Sequence, residues 1–64
     1  MTVEFIHQGK IQSFEVPDQE PPAIITRTSR ACPKSPVWHF KLLFAYVDTA
    51  RQVAHYDVLE AETD

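Results

Sequence analysis

Val37-Trp38-His39-Phe40-Lys41-Leu42-Leu43-Phe44-Ala45-Tyr46-Val47, followed by Asp48-Thr49-Ala50-Arg51 and then Gln52-Val53-Ala54-His55-Tyr56-Asp57-Val58-Leu59, is the stretch that decides the fold. Read as strands, its first run is dense in aromatic and β-branched side chains, which suit a pleated surface. Trp38, Phe40, Leu42, Phe44 and Tyr46 alternate with His39 and Lys41 at its start, the period-2 pattern of a strand. Asp48 to Arg51 reads as a four-residue turn, and Gln52–Leu59 returns as the partner strand. Read as a helix, Ser35 is the N-cap and Pro36 the first helical residue. Phe40, Leu43, Phe44, Val47, Ala54, Val58 and Ala61 then form a stripe near period 3.6. The hairpin is the favoured reading, and a C-terminal helix from about residue 36 in an α+β fold is the alternative.

Upstream, Gly9 is the only glycine of the chain and sits between two alternating runs. A hairpin over residues 2–16 with Gly9-Lys10 as a type II′ turn follows, since that turn wants glycine at its first central position. This register sets Phe5 opposite Phe14 and Val3 opposite Val16. Val3, Phe5, Phe14 and Val16 share one face, and Glu4, Gln8, Ser13 and Glu15 the other. Ile6 and Ile11 interrupt that polar face, and Glu4 opposes Glu15 unfavourably.

All five prolines fall between residues 17 and 36. Residues 17–22 form a polar connection, Ile24–Thr28 a short middle strand, and residues 29–36 a loop broken by Cys32-Pro33 and Ser35-Pro36. The expected architecture is mainly β: an antiparallel sheet of two hairpins, about residues 2–16 and 37–59, within one small domain spanning residues 1–64.

With 64 residues and a single cysteine, the chain has little core and no disulfide to hold it. Association is the expected stabiliser. Leu42–Val47 is apolar on both faces as a strand, so Leu42, Leu43, Phe44, Tyr46 and Val47 are the interface candidates of an expected homodimer, with another protein as a further partner. Residues 1–16 contain no apolar core of a signal peptide, and no run approaches the length of a membrane span. A cytoplasmic protein with no membrane partner is expected.

The net charge of −3 is unevenly distributed. Residues 1–22 set Glu4, Glu15, Asp18 and Glu20 against Lys10, and residues 42–64 set Asp48, Asp57, Glu60, Glu62 and Asp64 against Arg51. Residues 23–41 carry Arg27, Arg30, Lys34 and Lys41 and no acid. These four cations with Trp38 as a stacking platform are the candidates for nucleic-acid binding. Against that reading, the isoelectric point near 5.5 lies far below that of most nucleic-acid domains.

Chemistry is sparsely signalled. His7, His39 and His55 show no metal-ligand spacing, so no metal is expected. One glycine cannot build a phosphate cradle or a dinucleotide fingerprint, so no cofactor is expected. His55 and Asp57 share one face of a strand about 7 Å apart. With Arg51 to hold a phosphate, they form the catalytic candidates of a small RNase-like activity. Cys32, beside Arg30 and Lys34, is a loop thiol whose thiolate those charges would favour. Glu60, Glu62 and Asp64 read as a frayed acidic tail.

Trp38-His39-Phe40-Lys41, Phe44-Ala45-Tyr46-Val47, Val53 and His55-Tyr56-Asp57 together resemble the TumE-type toxins of prokaryotic toxin–antitoxin pairs. The resemblance covers residues 37–57 and implies a small β-containing protein working against a protein partner. It stops at Asp57: the family continues with a polar Gly-Lys-Gly-Asp-His-Arg-His stretch, whereas this chain has Val58 and ends at Asp64. The favoured function is a small non-enzymatic protein–protein interaction module in a toxin–antitoxin setting. The alternatives are a nucleic-acid binder and an RNase-like toxin.

Overall fold

In a computed structural model that describes residues 1–30 and 32–63, the chain folds as five strands: β1 (Thr2–His7), β2 (Lys10–Glu15), β3 (Ile24–Ser29), β4 (Trp38–Asp48) and β5 (Val53–Thr63). They form one sheet in the order β2-β1-β5-β4-β3. The fold is mainly β with two hairpins, as expected, but the sheet is mixed and not antiparallel throughout. No helix among the described residues is long and apolar enough to cross a membrane. The last strand of the chain is the middle strand of the sheet. β5 pairs antiparallel with β4 and parallel with β1, so the seam joining the two hairpins is parallel.

The first hairpin keeps the expected faces and changes its register. Gln8 and Gly9 occupy the turn with φ of 52° and 76°, the two positive values of a type I′ turn. Phe5 therefore faces Gln12, and Phe14 faces Val3. A shift of two residues preserves side-chain parity, so Val3, Phe5, Phe14 and Val16 still share one face. The observed register sets Ile6 against Ile11 and Glu4 against Ser13. It thereby pairs the two isoleucines and removes the Glu4–Glu15 repulsion of the II′ alternative. Its cost is a left-handed conformation at Gln8, a side chain that adopts it less readily than asparagine.

Two irregularities shape the second hairpin. Its register slips between Lys41 and Leu42 and again between Phe44 and Tyr46. The first leaves Leu59 unpaired as an extra residue of β5, and the second leaves Ala45 as an extra residue of β4. Each is a β-bulge, which redirects the side chains that follow it. Tyr46 is thus turned to the face opposite Trp38, Phe40, Leu42 and Phe44, against the plain alternation of the sequence. The return strand starts at Val53 and runs to Thr63, beyond the expected Leu59. Glu60 and Glu62 face Lys41 and His39 in the ladder, so they are strand residues and not a frayed tail. Asp64, the third residue of that tail, lies outside the described residues.

One face of the sheet holds the core. Val3, Phe5, Phe40, Leu42, Ala54 and Tyr56 are each at most 4% exposed, with Phe14, Ile25, Trp38 and Phe44 packed against them. The sheet curls around this face. Phe14 on the edge strand β2 and Arg27 on the opposite edge strand β3 approach until the guanidinium lies 4.3 Å over the ring. The connection from β2 to β3 spans these two edges and is pinned to the core. The Tyr56 hydroxyl donates to the Pro22 carbonyl at 2.5 Å, and the Phe44 amide donates to the Ala23 carbonyl at 2.9 Å.

Candidate functional site on the convex face

The site lies on the outer face, and sheet register assembles it. Glu4 of β1 stands beside His55 of β5, which stands beside Tyr46 of β4. The Ala45 bulge is what brings Tyr46 into this row. Its ring stacks on His55 with centroids 4.5 Å apart and planes 10° from parallel.

Arg51 joins from the loop between β4 and β5. The Asp48 carboxylate accepts the backbone N–H groups of Ala50 at 3.1 Å and Arg51 at 3.2 Å, which shapes the turn. Gln52 closes it at φ 57°. From there the Arg51 guanidinium reaches Glu4, with Nη2 donating to Oε1 at 3.1 Å and Nη1 to Oε2 at 3.4 Å. This is the two-pronged geometry in which arginine binds a carboxylate best. The Glu4 side chain is 12% exposed, and His55 Nε2 lies 3.7 Å from Oε2, the oxygen that also accepts from Arg51 Nη1. That separation is an ion contact when the imidazole is protonated and too long for a hydrogen bond.

Asp57 is the next outward residue of β5 after His55. It faces Leu43, which in turn faces Ile24 of β3. On its other side, the next outward residue of β1 is Ile6, which faces Ile11 of β2. A hollow of about 250 Å³ opens here, lined by Glu4, Ile6, Ile11, Tyr46, Arg51, His55 and Asp57 among others.

The three catalytic candidates Arg51, His55 and Asp57 therefore do meet in one hollow. Arg51 is committed to Glu4 through both nitrogens, which leaves the pair neutral and the guanidinium engaged where a phosphate would have to bind. Sequence reasoning missed Glu4, and it named Tyr46 as an interface candidate without placing it beside His55. The outward position of Glu4 was readable from its alternation with Val3 and Phe5, but its arginine lies 47 residues away.

The candidates for nucleic-acid binding are divided between the faces. Arg27 faces Phe40 on the core side, while Lys41 faces Thr26 on the outer side. Trp38 turns inward, edge-on to His7 at 4.7 Å and stacked with Phe40 at 5.9 Å. Arg30 and Lys34 are exposed beyond the end of β3. The interface candidates divide likewise. Leu42 is fully buried in the core, and Phe44 packs edge-on against Tyr56 at 5.7 Å. Leu43, Tyr46 and Val47 remain exposed.

Cys32 lies apart from this hollow, exposed in a turn closed by the Ser35 amide donating to the Cys32 carbonyl at 3.0 Å. Its thiol titrates below the ordinary range because of the Ser35 hydroxyl and then the Lys34 backbone amide. Hydrogen bonds, not the Arg30 and Lys34 charges, are the cause. Among the described residues no cluster of three or more His, Cys, Asp or Glu side chains is placed to hold a metal ion. No protein-family model, curated protein or solved structure matches the chain.

Proposed function

We propose that the chain is a non-enzymatic protein-interaction module whose docking surface is the convex face of the sheet. The observation that carries this reading is a row of exposed apolar side chains on hydrogen-bonded neighbours. Ile11 and Ile6 are 68% and 62% exposed on one side of Asp57, and Leu43 and Ile24 are 41% and 42% exposed on the other. Tyr46, 58% exposed, adjoins them. Single exposed apolar residues are ordinary, whereas a contiguous set on one face marks an interaction surface. The core lies on the other face, so folding does not account for these residues. The engagement of Arg51 by Glu4 counts against catalysis, and the division of Arg27 and Lys41 between two faces counts against a phosphate-binding track. The resemblance of residues 37–57 to TumE-type toxins supplies a setting, a toxin–antitoxin pair, in which the partner is a protein.

The test is selection of binders from a displayed random-peptide library, with the double variant Ile6→Lys/Leu43→Lys screened in parallel. Both side chains stand outside the core, so the variant keeps the circular dichroism of the parent. Peptides that bind the parent and not the variant are expected. Binders indifferent to the two substitutions, or none at all, would refute the convex face as the docking surface.

A further inference from the structure

The charges in and around the hollow do not cancel. Glu4 and Arg51 neutralise each other through two hydrogen bonds. The Asp57 side chain is exposed, and among the described residues its carboxylate takes part in no ion pair or hydrogen bond. It stands in the middle of the apolar row, between Ile6 and Leu43. An unpaired carboxylate among apolar side chains loses hydration when anything apolar covers it, and this loss is severe unless the covering surface supplies a cation. The row therefore repels a wholly apolar partner at its centre and favours one whose basic group arrives there.

We infer that the convex face takes a segment of another protein carrying one lysine or arginine flanked by apolar side chains. This rests on the proposed docking role of that face. The basic side chain enters the hollow, with its methylene stem along Ile6 and Ile11 and its head on Asp57. Lysine and arginine suit such a place because their stems are apolar and only their ends are charged. The hollow of about 250 Å³ has room for one side chain and not for a folded segment. A second copy of this chain fits the surface less well. Symmetric packing of two convex faces about a two-fold axis through the patch brings the two Asp57 carboxylates together, and like charges at a covered interface are costly.

The experiment begins with the peptides selected as above, synthesised with their basic residue as lysine, as the uncharged isostere norleucine, or as glutamate. Binding to the purified chain is followed by the amide shifts of the 15N-labelled protein, which also report whether each variant stays folded. The lysine form is expected to bind about tenfold or more tighter than the norleucine form, the range of a charge-assisted contact. Asp57→Asn is expected to bring the two within about twofold, and Asp57→Lys to reverse the preference toward glutamate. Selected peptides that need Ile6 and Leu43 but show no preference for lysine would overturn this inference and leave the docking face standing. A dimer in sedimentation velocity that Ile6→Lys breaks and Asp57→Asn tightens would also overturn it, because the occupant would then be a second copy.

Discussion

The Arg27 guanidinium sits 4.3 Å over the Phe14 ring and so links the two outermost strands of the sheet across its concave side. No backbone ladder joins β2 to β3, so this contact and the pinned connection between them hold the curl. A cation–π contact at an exposed site is worth about 0.5–1 kcal/mol. Arg27→Ala is expected to lower unfolding stability by about that amount in urea titration, and Arg27→Lys to lower it less. Equal losses in both variants would mean that the charge over the ring is not what matters.

Leu42 and Leu43 are neighbours in sequence and opposites in environment, at 0% and 41% exposure. Leu42→Ala opens a cavity in the core and is expected to cost about 2–5 kcal/mol. That is comparable to the whole stability of a domain this small, so the variant should be largely unfolded at room temperature by circular dichroism. Leu43→Ala should stay folded, with a change of about 0.5 kcal/mol or less. Equal destabilisation would show that the strand faces are assigned wrongly.

These two leucines also show how far the sequence could be read. That Leu42–Val47 is apolar on both faces as a strand was legible, and so were the inward faces of Val3, Phe5 and Phe14, because side-chain parity survives an error of two in register. The pairing of β1 with β5 was not legible. It is a parallel contact between the two ends of the chain, and nothing local marks it. Glu4 and Arg51 could be placed together only after that seam was known. Tyr46 was assigned to the wrong face because the Ala45 bulge interrupts a pattern that looks unbroken in the residues themselves. The hollow was thus half visible: His55 and Asp57 could be placed on one strand face, but not the carboxylate that engages Arg51 or the ring that stacks on His55.

The type I′ turn of the first hairpin suggests a stabilising change. Gln8 holds φ at 52°, a conformation that asparagine adopts more readily, and Gly9 follows at 76°. Gln8→Asn is expected to raise stability by about 0.5 kcal/mol. Gly9→Ala is expected to lower it, although no atom lies within 4 Å of the added methyl, because the loss comes from the backbone conformation alone. Thermal melts of the two variants check both signs, and a neutral Gly9→Ala would refute the turn assignment.

Cys32 should react faster than an ordinary cysteine at mildly alkaline pH. The Ser35 hydroxyl, 3.0 Å from its sulfur, and the Lys34 backbone amide favour the thiolate. The midpoint of the pH–rate profile for iodoacetamide alkylation is expected below that of an unstructured cysteine peptide. Ser35→Ala is expected to move it back up. If Ser35→Ala leaves the profile unchanged, the hydroxyl is not the cause.

Tyr56 connects stability to pH at the alkaline end. Burial, and then the negative charge of Asp18, raise its phenol above the ordinary value. The folded state therefore prefers the neutral phenol, which donates to the Pro22 carbonyl. A group whose value is raised by folding contributes its stability in full below its unfolded value, near 10 for tyrosine, and loses it as the pH climbs through the folded value. Tyr56→Phe removes both the hydrogen bond and the ionisation. At neutral pH the variant should be less stable by about 0.5–1.5 kcal/mol, the net worth of one such bond. Above about pH 10 the wild type loses stability through this group and the variant does not, so the difference between them should shrink. Lysines and Tyr46 titrate in both proteins, and comparing the pair cancels their contribution. Urea titrations of the two proteins from neutral to alkaline pH measure that difference directly. A gap that stays constant across the range would mean that the Tyr56 phenol ionises no less readily in the folded chain than in the unfolded one.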